Sequence, residues 1–488
     1  MENTATTVHR RPSLGLAVIP FITLIATMLP TVIILGADPQ IPLIISSIVT
    51  SFIGIKFLGY KWSEIEDAMV QANSTTMQAN FIIMIVGCLI AVWIAGGIVP
   101  SLIFYGLKLF TPRSFLIVLP LVCAVVAIST GSSWSTAGTM GVAAMGIASG
   151  LGIPLPLAAG AVITGAQFGD KLSPLSDTTN LAPAVSGANV FDHIKSLLWT
   201  TLPSFALAIA IFAWMGSGYT ADQMNTEQID GIIRGLEANF QITPWALLAP
   251  LSVIAIILLK IPAVPGMILA TLIGCLFAAA QGVGLADMLI MMINGFEMQS
   301  GNEMLDTLLN RGGMQSMMYT ISLVICALAF GGAVQKIGCL DTFLGSILHF
   351  FRSRGAVITS NLIACYAMNV FAADQYMSIV IPGQMYRKLY QKLNIHPSVA
   401  SRILEDSGTL TSGTVPWSTC GAVYFACLGV SAWEYAPYCL MAIITPVLSA
   451  FYGFTGLTIA PLDPSQPVLS HISPEDYVAD EETKPLGS

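Results

Sequence analysis

The segment GAQFGDKLSPLSDTTNLAP, from Gly165 to Pro183, places two aspartates, a lysine and several hydroxyls between long apolar runs. Only 9% of the residues in the chain are charged, so this concentration is unusual. Gly169 and Pro174 argue against an unbroken helix, because glycine loosens the backbone and proline lacks an amide donor. Polar interruptions at membrane depth line protein or a water-filled cavity, and ionisable groups there mark function. The segment therefore predicts a functional site, with a solvated surface loop as the simpler alternative.

The composition is that of a membrane protein. The 488 residues are 55% hydrophobic, their mean hydropathy is +0.77, and several uncharged runs reach about 20 residues, the length that spans hydrocarbon. Much of the net charge of −8 lies in two acidic stretches, and no basic patch indicates nucleic acid. The nine cysteines occur singly, without CxxC spacing, which predicts reduced thiols and neither disulfides nor a metal site. We predict an all-α polytopic membrane protein.

Two halves of the chain resemble each other. A shift of 242 residues, without gaps from about 96 to 205, pairs Pro174 with Pro416 and Ser176 with Ser418. Each half has about five predicted transmembrane helices, one re-entrant hairpin and one broken helix. Five crossings are an odd number, so the second half is inverted. The expected layout is a cytoplasmic N-terminus (1–13), a first inverted repeat (14–217), an external acidic loop (218–242), a second inverted repeat (243–459) and a cytoplasmic acidic tail (460–488).

The distribution of positive charge agrees with this topology. Arg10 and Arg11 precede the first apolar run, without a signal-peptide cleavage site, so the N-terminus is predicted to be cytoplasmic. Most of the 19 lysines and arginines then fall on the cytoplasmic side, including Lys260, Arg402 and Lys484. Only four lysines and arginines are predicted to lie on the external side of the membrane. Lys171 is predicted to lie within the membrane.

Four polar elements are expected to converge near the midplane, an arrangement typical of secondary transporters. Two are tips of the predicted hairpins 114–150 and 355–391, and two interrupt the predicted broken helices. We name them the first tip (Ser129–Ser135), the first break (Gly169–Asn180), the second tip (Asn369–Ser378) and the second break (Glu405–Thr419).

These elements carry the oxygen ligands that a small hard cation requires. We expect a Na⁺ site at Asp177 with Ser176 and Thr178. Gly131 would let the first tip turn and expose carbonyl groups. The other cation- or proton-binding candidates are Asp170, Ser173, Thr179, Asp374, Glu405 and Asp406. The set also includes hydroxyl residues. In the first tip these are Ser129, Thr130, Ser132 and Ser133, and in the second broken helix they are Thr414, Ser418 and Thr419.

A buried carboxylate can hold either Na⁺ or H⁺, because desolvation favours the protonated acid and a bound cation favours the carboxylate. Mutual exclusion of the two ions would produce antiport, with Asp177, Asp374 and Asp406 as candidates in apolar surroundings.

Several of the candidate carboxylates could instead have a structural role. Asp170 and Lys171 could neutralise each other or pair with neighbours. Either Glu405 or Asp406 could form a structural ion pair with Arg402. Asp192 and Glu434 are expected to be helix caps or interfacial charges.

Several long motifs resemble the NhaC-type Na⁺/H⁺ antiporter family. They are TGSSWST, GTMGVAAMGIASGLGIPLPLAAGAVITGAQFGDKLSPLSDTTNLAPAVSG, AADQYMSIVIPGQMY and LEDSGTLTSGTVPWSTCGA, within a similarity that extends from about Pro42 to Gly456. The resemblance implies a multi-pass exchanger of the bacterial cytoplasmic membrane that exports Na⁺, and also Li⁺, against entering protons. It implies no cofactor beyond the transported ions, elevator-like movement and, by analogy, a homodimer. It supports Asp170, Ser176, Asp177, Thr178, Asp374, Glu405 and Asp406 as the polar core.

Other functions remain open from sequence. The same family includes malate/lactate exchangers coupled to Na⁺ and H⁺, which need a donor for a carboxylate. Lys171, the only cation expected at membrane depth, and the hydroxyl-rich first tip could provide it. An intramembrane enzyme is disfavoured, because no HExxH or GxSxG motif occurs and the five histidines fall near predicted surfaces or tails. A passive channel would not need two halves with interrupted helices.

Overall fold

The computed structural model describes residues 9–35, 37–219, 226–259, 261–302, 305–306, 309–348 and 351–471. Lys260, Lys484 and most of the predicted acidic tail therefore lie outside the described residues. The described chain is all-helical, with two isolated bridges and no strand. This confirms the predicted all-α class.

Many of the helices begin or end at the polar interruptions expected from the sequence. The α-helices are Leu14–Leu29, Gln40–Ile53, Trp62–Thr75, Met77–Ala95, Ile98–Leu109, Pro112–Thr130, Ser133–Thr136, Val142–Gly150, Leu155–Leu172, Asp177–Ser186, Val190–Ser217, Thr226–Asn239, Leu248–Leu258, Ala263–Ala280, Leu285–Asn294, Met314–Lys336, Cys339–Leu348, Arg354–Phe371, Gln375–Lys392, Pro397–Leu404, Leu410–Ser412, Thr419–Leu428, Ala432–Tyr435 and Leu440–Thr455. Wider π-helical turns occupy Pro30–Ile34, Gly54–Leu58, Ala137–Gly141 and Glu405–Thr409, and 3₁₀ turns occupy Pro244–Leu247 and Ala436–Tyr438.

Several helices are long and apolar enough to cross a bilayer. Within the described chain these are Leu14–Val32, Gln40–Leu58, Pro112–Thr130, Val190–Ser217 and Met314–Lys336. Two further helix pairs, bent by 67° and 54°, would each make one more span. The protein is therefore a multi-pass membrane protein.

Helix starts recur at the same spacing as the sequence similarity. Helices begin at Pro112 and Arg354, which are 242 residues apart. The same interval separates the starts Ser133 and Gln375, Leu155 and Pro397, Asp177 and Thr419, and Val190 and Ala432. It also separates residues with positive φ, Gly131 from Ala373 and Gly187 from Gly429. The shift of 242 residues thus relates backbone geometry as well as residue identity.

The predicted acidic loop 218–242 contains a helix, Thr226–Asn239, which corrects the expectation of a plain loop. Ile232 and Leu236, four residues apart, share one face and are both buried in the hydrophobic core. Because i and i+4 side chains lie together on a helix, two apolar residues anchor an otherwise polar segment.

The role of Gly169 also differs from the prediction. It lies inside the helix Leu155–Leu172, and the backbone breaks only afterwards, at Ser173–Ser176 around Pro174. A Cβ at Gly169 would lie 2.5 Å from the backbone N of Ile128. Glycine therefore permits close packing on the helix Pro112–Thr130, as small residues do between membrane helices. The break itself is set by proline.

Two large hydrophobic clusters hold the helices together. One joins Ile82–Ile163 with residues near Leu410–Ala442, and the other joins Ala17–Ala72 with residues 323–422. Each cluster therefore contains residues from both sequence halves, so the halves are intertwined through their cores.

Candidate functional site

The first tip is a sharp reversal between two helices. Gly131 has φ +64, and a Cβ there would lie 2.7 Å from the carbonyl carbon of Leu175. Ser132 then begins the next helix, its Oγ accepting a hydrogen bond from the Ser135 N–H at 3.2 Å. The tip therefore needs glycine both for its backbone conformation and for its approach to the first break.

The first break is held against this tip by polar contacts. The Ser133 N–H donates to Asp170 Oδ2 at 3.1 Å, and the Ser173 hydroxyl donates to the Ile128 carbonyl at 2.7 Å. Ser176 begins the helix Asp177–Ser186, and its Oγ lies 3.1 Å from the Thr178 hydroxyl. One backbone amide of the first tip thus contacts the carboxylate of the first break.

The second tip and the second break are joined in a similar way. Asp374 Oδ1 accepts from the Met377 N–H at 2.9 Å and so caps the helix Gln375–Lys392. The Thr419 N–H donates to the Ala373 carbonyl at 2.9 Å. Asn369 Nδ2 donates to the Gly408 carbonyl at 2.8 Å. Asp374, predicted as a cation- or proton-binding residue in apolar surroundings, thus has one oxygen engaged as a helix cap.

The two pairs of elements also contact each other. Gln167 Nε2 donates to the Leu410 carbonyl at 3.0 Å, and Trp134 Nε1 donates to Cys420 Sγ at 3.2 Å. Lys171 forms an ion pair with Asp406. All four polar elements therefore lie in one connected region of the described structure.

A cavity of about 400 Å³ opens among these elements. Its polar lining comes from the first tip, the first break, the second tip and the start of the helix Met77–Ala95. The polar lining residues are Thr76, Gln78, Thr130, Ser132, Ser133, Ser135, Asp170, Ser176, Asp177, Thr178, Gln375 and Tyr376. Apolar residues of 253–267, including Val253 and Met267, close one side. No lysine, arginine or histidine is among its described lining residues.

The predicted carboxylates fall into different environments. Asp170 is 6% exposed and lines the cavity. Asp177 also lines it but is exposed, which corrects the expectation of apolar surroundings. Asp374, Glu405 and Asp406 are buried outside the cavity lining. Only two of the five carboxylates therefore face the space where a substrate could enter.

Asp406 lies in a buried ion-pair network. Besides Lys171, its Oδ1 accepts a hydrogen bond from the Thr200 hydroxyl at 2.8 Å. Arg402 Nε lies 4.0 Å from Oδ2, and Arg402, one of the cations predicted on the cytoplasmic side, is fully buried. Arg402 also donates to the carbonyls of Ser196 and Thr458. Asp406 therefore forms the structural ion pair that the sequence left open as an alternative to a functional role.

Most other predicted hydroxyls serve the local backbone. Ser129, Thr414 and Ser418 donate to carbonyls within their own segments, and Thr179 donates to the carbonyls of Asp170 and Lys171. Of the predicted hydroxyls, Thr130, Ser132, Ser133, Ser176 and Thr178 line the cavity. Short polar side chains commonly compete for backbone groups in this way.

Sequence analysis missed several residues of this region. Gln375 and Tyr376 lay inside the second tip but were not proposed as ligands. Thr76 and Gln78 gave no signal, because they lie outside the repeat similarity. His193, expected near a surface, is fully buried, with Nδ1 2.8 Å from the Ser401 hydroxyl. Its pairing with a residue 208 positions away was not visible in the local pattern.

The donor set is suited to a hard cation. The described residues contain no cluster of three His, Cys, Asp or Glu side chains that would hold a metal ion. The cavity instead offers two carboxylates with hydroxyl and amide groups, the oxygen donors that small hard cations prefer.

Comparisons with known proteins agree with this chemistry. A profile of the Na⁺/H⁺ antiporter family matches residues 165–457. The Na⁺/H⁺ antiporter NhaC of Alkalihalophilus pseudofirmus is 38% identical over 92% of this chain and 97% of its own. The malate-2H⁺/Na⁺-lactate antiporter of Bacillus subtilis is 35% identical over 92% and 96%. The NhaC protein of Bacillus subtilis is 34% identical over 91% and 99%. The chain therefore belongs to the Na⁺/H⁺ antiporter family and is a membrane transporter, not an enzyme.

Proposed function

We propose that this protein exports Na⁺ in exchange for H⁺ by alternating access. The observation that carries the proposal is the character of the cavity. It presents Asp170 and Asp177 together with hydroxyls, and no cationic side chain among its described lining. Such a surface attracts a small cation and repels an anion.

Within this cavity, Asp170 and Asp177 would supply charge to Na⁺. Ser176 and Thr178, whose hydroxyl oxygens are 3.1 Å apart, would add neutral oxygen ligands. Thr130, Ser132 and Ser133 of the first tip also line this cavity. Li⁺ has the same preference for oxygen donors, and we propose it as a second cargo. No cofactor beyond the transported ions is needed for this exchange.

Malate/lactate exchange is the alternative, and one relative carries that name. A dicarboxylate requires a cationic or amide-rich site to offset its charge. Lys171 and Arg402 are both fully buried and directed at Asp406, and neither lines the cavity. The electrostatics of the cavity therefore favour Na⁺/H⁺ exchange over exchange of organic anions.

We further propose two inverted repeats, over 14–217 and 243–459, joined by an external segment, 218–242. The recurrence of helix starts at 242 residues supports the repeat, and the positive-inside charge distribution supports its inversion. The N-terminus and the tail 460–488 would then face the cytoplasm of a bacterial cell, with the protein in the cytoplasmic membrane. Elevator-like movement of the domain that carries the tips, and a homodimeric assembly, complete this proposal.

The test is ion flux in everted vesicles or proteoliposomes that contain the protein. With an imposed proton gradient, NaCl and LiCl should dissipate the gradient, whereas KCl, malate or lactate alone should not. Asp177→Asn should abolish the response, because it removes one of two charges in the cavity. Glu237→Gln, at an exposed carboxylate outside the site, is the matched control and should behave like the wild type. Dissipation that needs malate opposite lactate would overturn the proposal.

A further inference from the structure

Three side chains at the cavity form a chain of hydrogen bonds, which we call the relay. The Trp134 indole Nε1–H donates to Cys420 Sγ at 3.2 Å, and the Cys420 thiol donates to Gln375 Oε1. Trp134 and Gln375 line the cavity, whereas Cys420 is 1% exposed and lies outside the lining. The buried thiol therefore connects a lining residue of the first tip with a lining residue of the second tip.

The chemistry of the three groups fixes the direction of these hydrogen bonds. An indole N–H can only donate, so the sulfur accepts from Trp134. The Ser412 hydroxyl also faces this sulfur and can donate to it. The thiol proton is then available to Gln375, where the carbonyl oxygen is the acceptor and the amide nitrogen is not. Cys420 therefore decides which end of the Gln375 carboxamide faces the sulfur.

The orientation of this carboxamide determines what the cavity meets at the second tip. Because Oε1 is bound to Cys420, the nitrogen end is the polar end of Gln375 that is left for the cavity. A carbonyl oxygen is a ligand for a small hard cation, whereas an N–H group is a donor with partial positive charge. Gln375 thus presents a donor where the opposite orientation would present a cation ligand.

The two repeats differ at the corresponding positions. The shift of 242 residues pairs Ser133 with Gln375, Asp170 with Ser412, Asp177 with Thr419 and Thr178 with Cys420. The helix Asp177–Ser186 has Asp177 in its first turn, whereas the helix Thr419–Leu428 has no acidic residue there. A helix N-terminus carries partial positive charge, which a carboxylate offsets in the first repeat only. The second-repeat side of the site is therefore the less favourable side for a cation.

From this geometry we propose that Gln375 determines where Na⁺ binds within the cavity. Its N–H group keeps the cation away from the second tip and confines it to the side of Asp170 and Asp177. Cys420 is a positioning residue, because it acts only through the orientation of Gln375. The inference rests on the proposed Na⁺/H⁺ exchange and locates the cation within the same site.

The test measures the KM and kcat of exchange of ²²Na⁺ for Na⁺ in proteoliposomes. Cys420→Ala removes the thiol donor, so the Gln375 carboxamide can rotate and offer Oε1 to Na⁺. The KM for Na⁺ should then fall about fivefold, the contribution of one polar contact, while kcat changes less. Cys420→Ser retains a group that both donates and accepts, so it should restore the wild-type KM.

Two further variants separate orientation from general packing. Gln375→Met keeps an unbranched side chain but removes the N–H donor, so the KM for Na⁺ should fall in this variant as well. Cys427→Ala is the matched control, because Cys427 is a buried cysteine on the same helix, Thr419–Leu428, and lies outside the cavity lining. This control should keep the wild-type KM.

The possible results distinguish the assignment of Gln375 from the proposed function. Equal KM values in Cys420→Ala and Cys420→Ser, or an unchanged or raised KM in Cys420→Ala, would overturn the assignment. A raised KM in Gln375→Met would also overturn it, because that result indicates that the carboxamide oxygen binds Na⁺. Absence of any Na⁺-dependent flux in the wild-type protein would instead refute the proposed exchange itself.

Discussion

The ion pair between Lys171 and Asp406 permits a quantitative prediction about stability. Both side chains are 0% exposed, so removal of one partner leaves the other charged and buried. Such a loss typically costs about 3–5 kcal/mol. Lys171→Met leaves Asp406 with the Thr200 hydroxyl and with Arg402 at 4.0 Å, so we expect about 3 kcal/mol. Asp406→Asn leaves the ammonium without another ion pair among the described residues, so we expect about 5 kcal/mol.

The double variant Lys171→Met/Asp406→Asn should lose less than Asp406→Asn alone, because it leaves one buried cation without a carboxylate, Arg402, instead of two. The measurement is the free energy of unfolding, from SDS titration in mixed micelles followed by far-UV circular dichroism. The matched control is Lys195→Met, which removes the exposed pair with Asp192 at 3.7 Å. Exposed pairs contribute about 0–1 kcal/mol. Equal effects of Lys171→Met and Lys195→Met, or a double variant as unstable as the sum of its parts, would refute this reasoning.

Three further predictions concern packing, access and pH. Gly169→Ala should lower the free energy of unfolding by about 1–3 kcal/mol through overpacking against Ile128, while Gly345→Ala, with open space around it, should not destabilise the protein. In a background without native cysteines, Gln78→Cys in the cavity lining should react with a charged thiol reagent more slowly when Na⁺ is present, and equal rates would contradict a Na⁺ site in this cavity. The Lys61 backbone N–H, followed by the His9 ring, holds the pKa of Glu64 below its usual range. The carboxylate therefore stabilises the start of the helix Trp62–Thr75 at higher pH and loses that effect as pH falls through the lowered pKa. Hydrogen exchange of the first turn should show this step, and Glu64→Gln should lack it.

Local chemistry explains why parts of the fold were predictable. Pro174 cannot donate a backbone hydrogen bond, so the interruption at Ser173–Ser176 followed from its position in the polar segment between two apolar runs. Gly131 marked the first tip, because few other residues adopt positive φ at so close a contact. The prediction of a helix break at Gly169 was wrong. The sequence shows a glycine, but it does not show whether the small residue permits a bend or a close contact between helices.

The candidate site was predictable in composition but not in arrangement. Asp170, Ser176 and Thr178 were proposed as ligands, and they line the cavity. Asp177 was expected in apolar surroundings but is exposed. Arg402 followed the charge pattern of a surface residue, yet it is buried. Exposure depends on what packs against a helix face, and that neighbour is commonly remote in sequence.

The sequence by itself determined the membrane class, the 242-residue spacing and the polar interruptions, because each depends on hydropathy or backbone chemistry within a short segment. Only the tertiary structure decided that Lys171 pairs with Asp406, 235 residues away, and so does not face the cavity. It likewise buried Glu405 completely, while its neighbour Asp406 is paired with Lys171. The physical reason is that a buried charge takes its state from whichever distant groups the packed helices place around it.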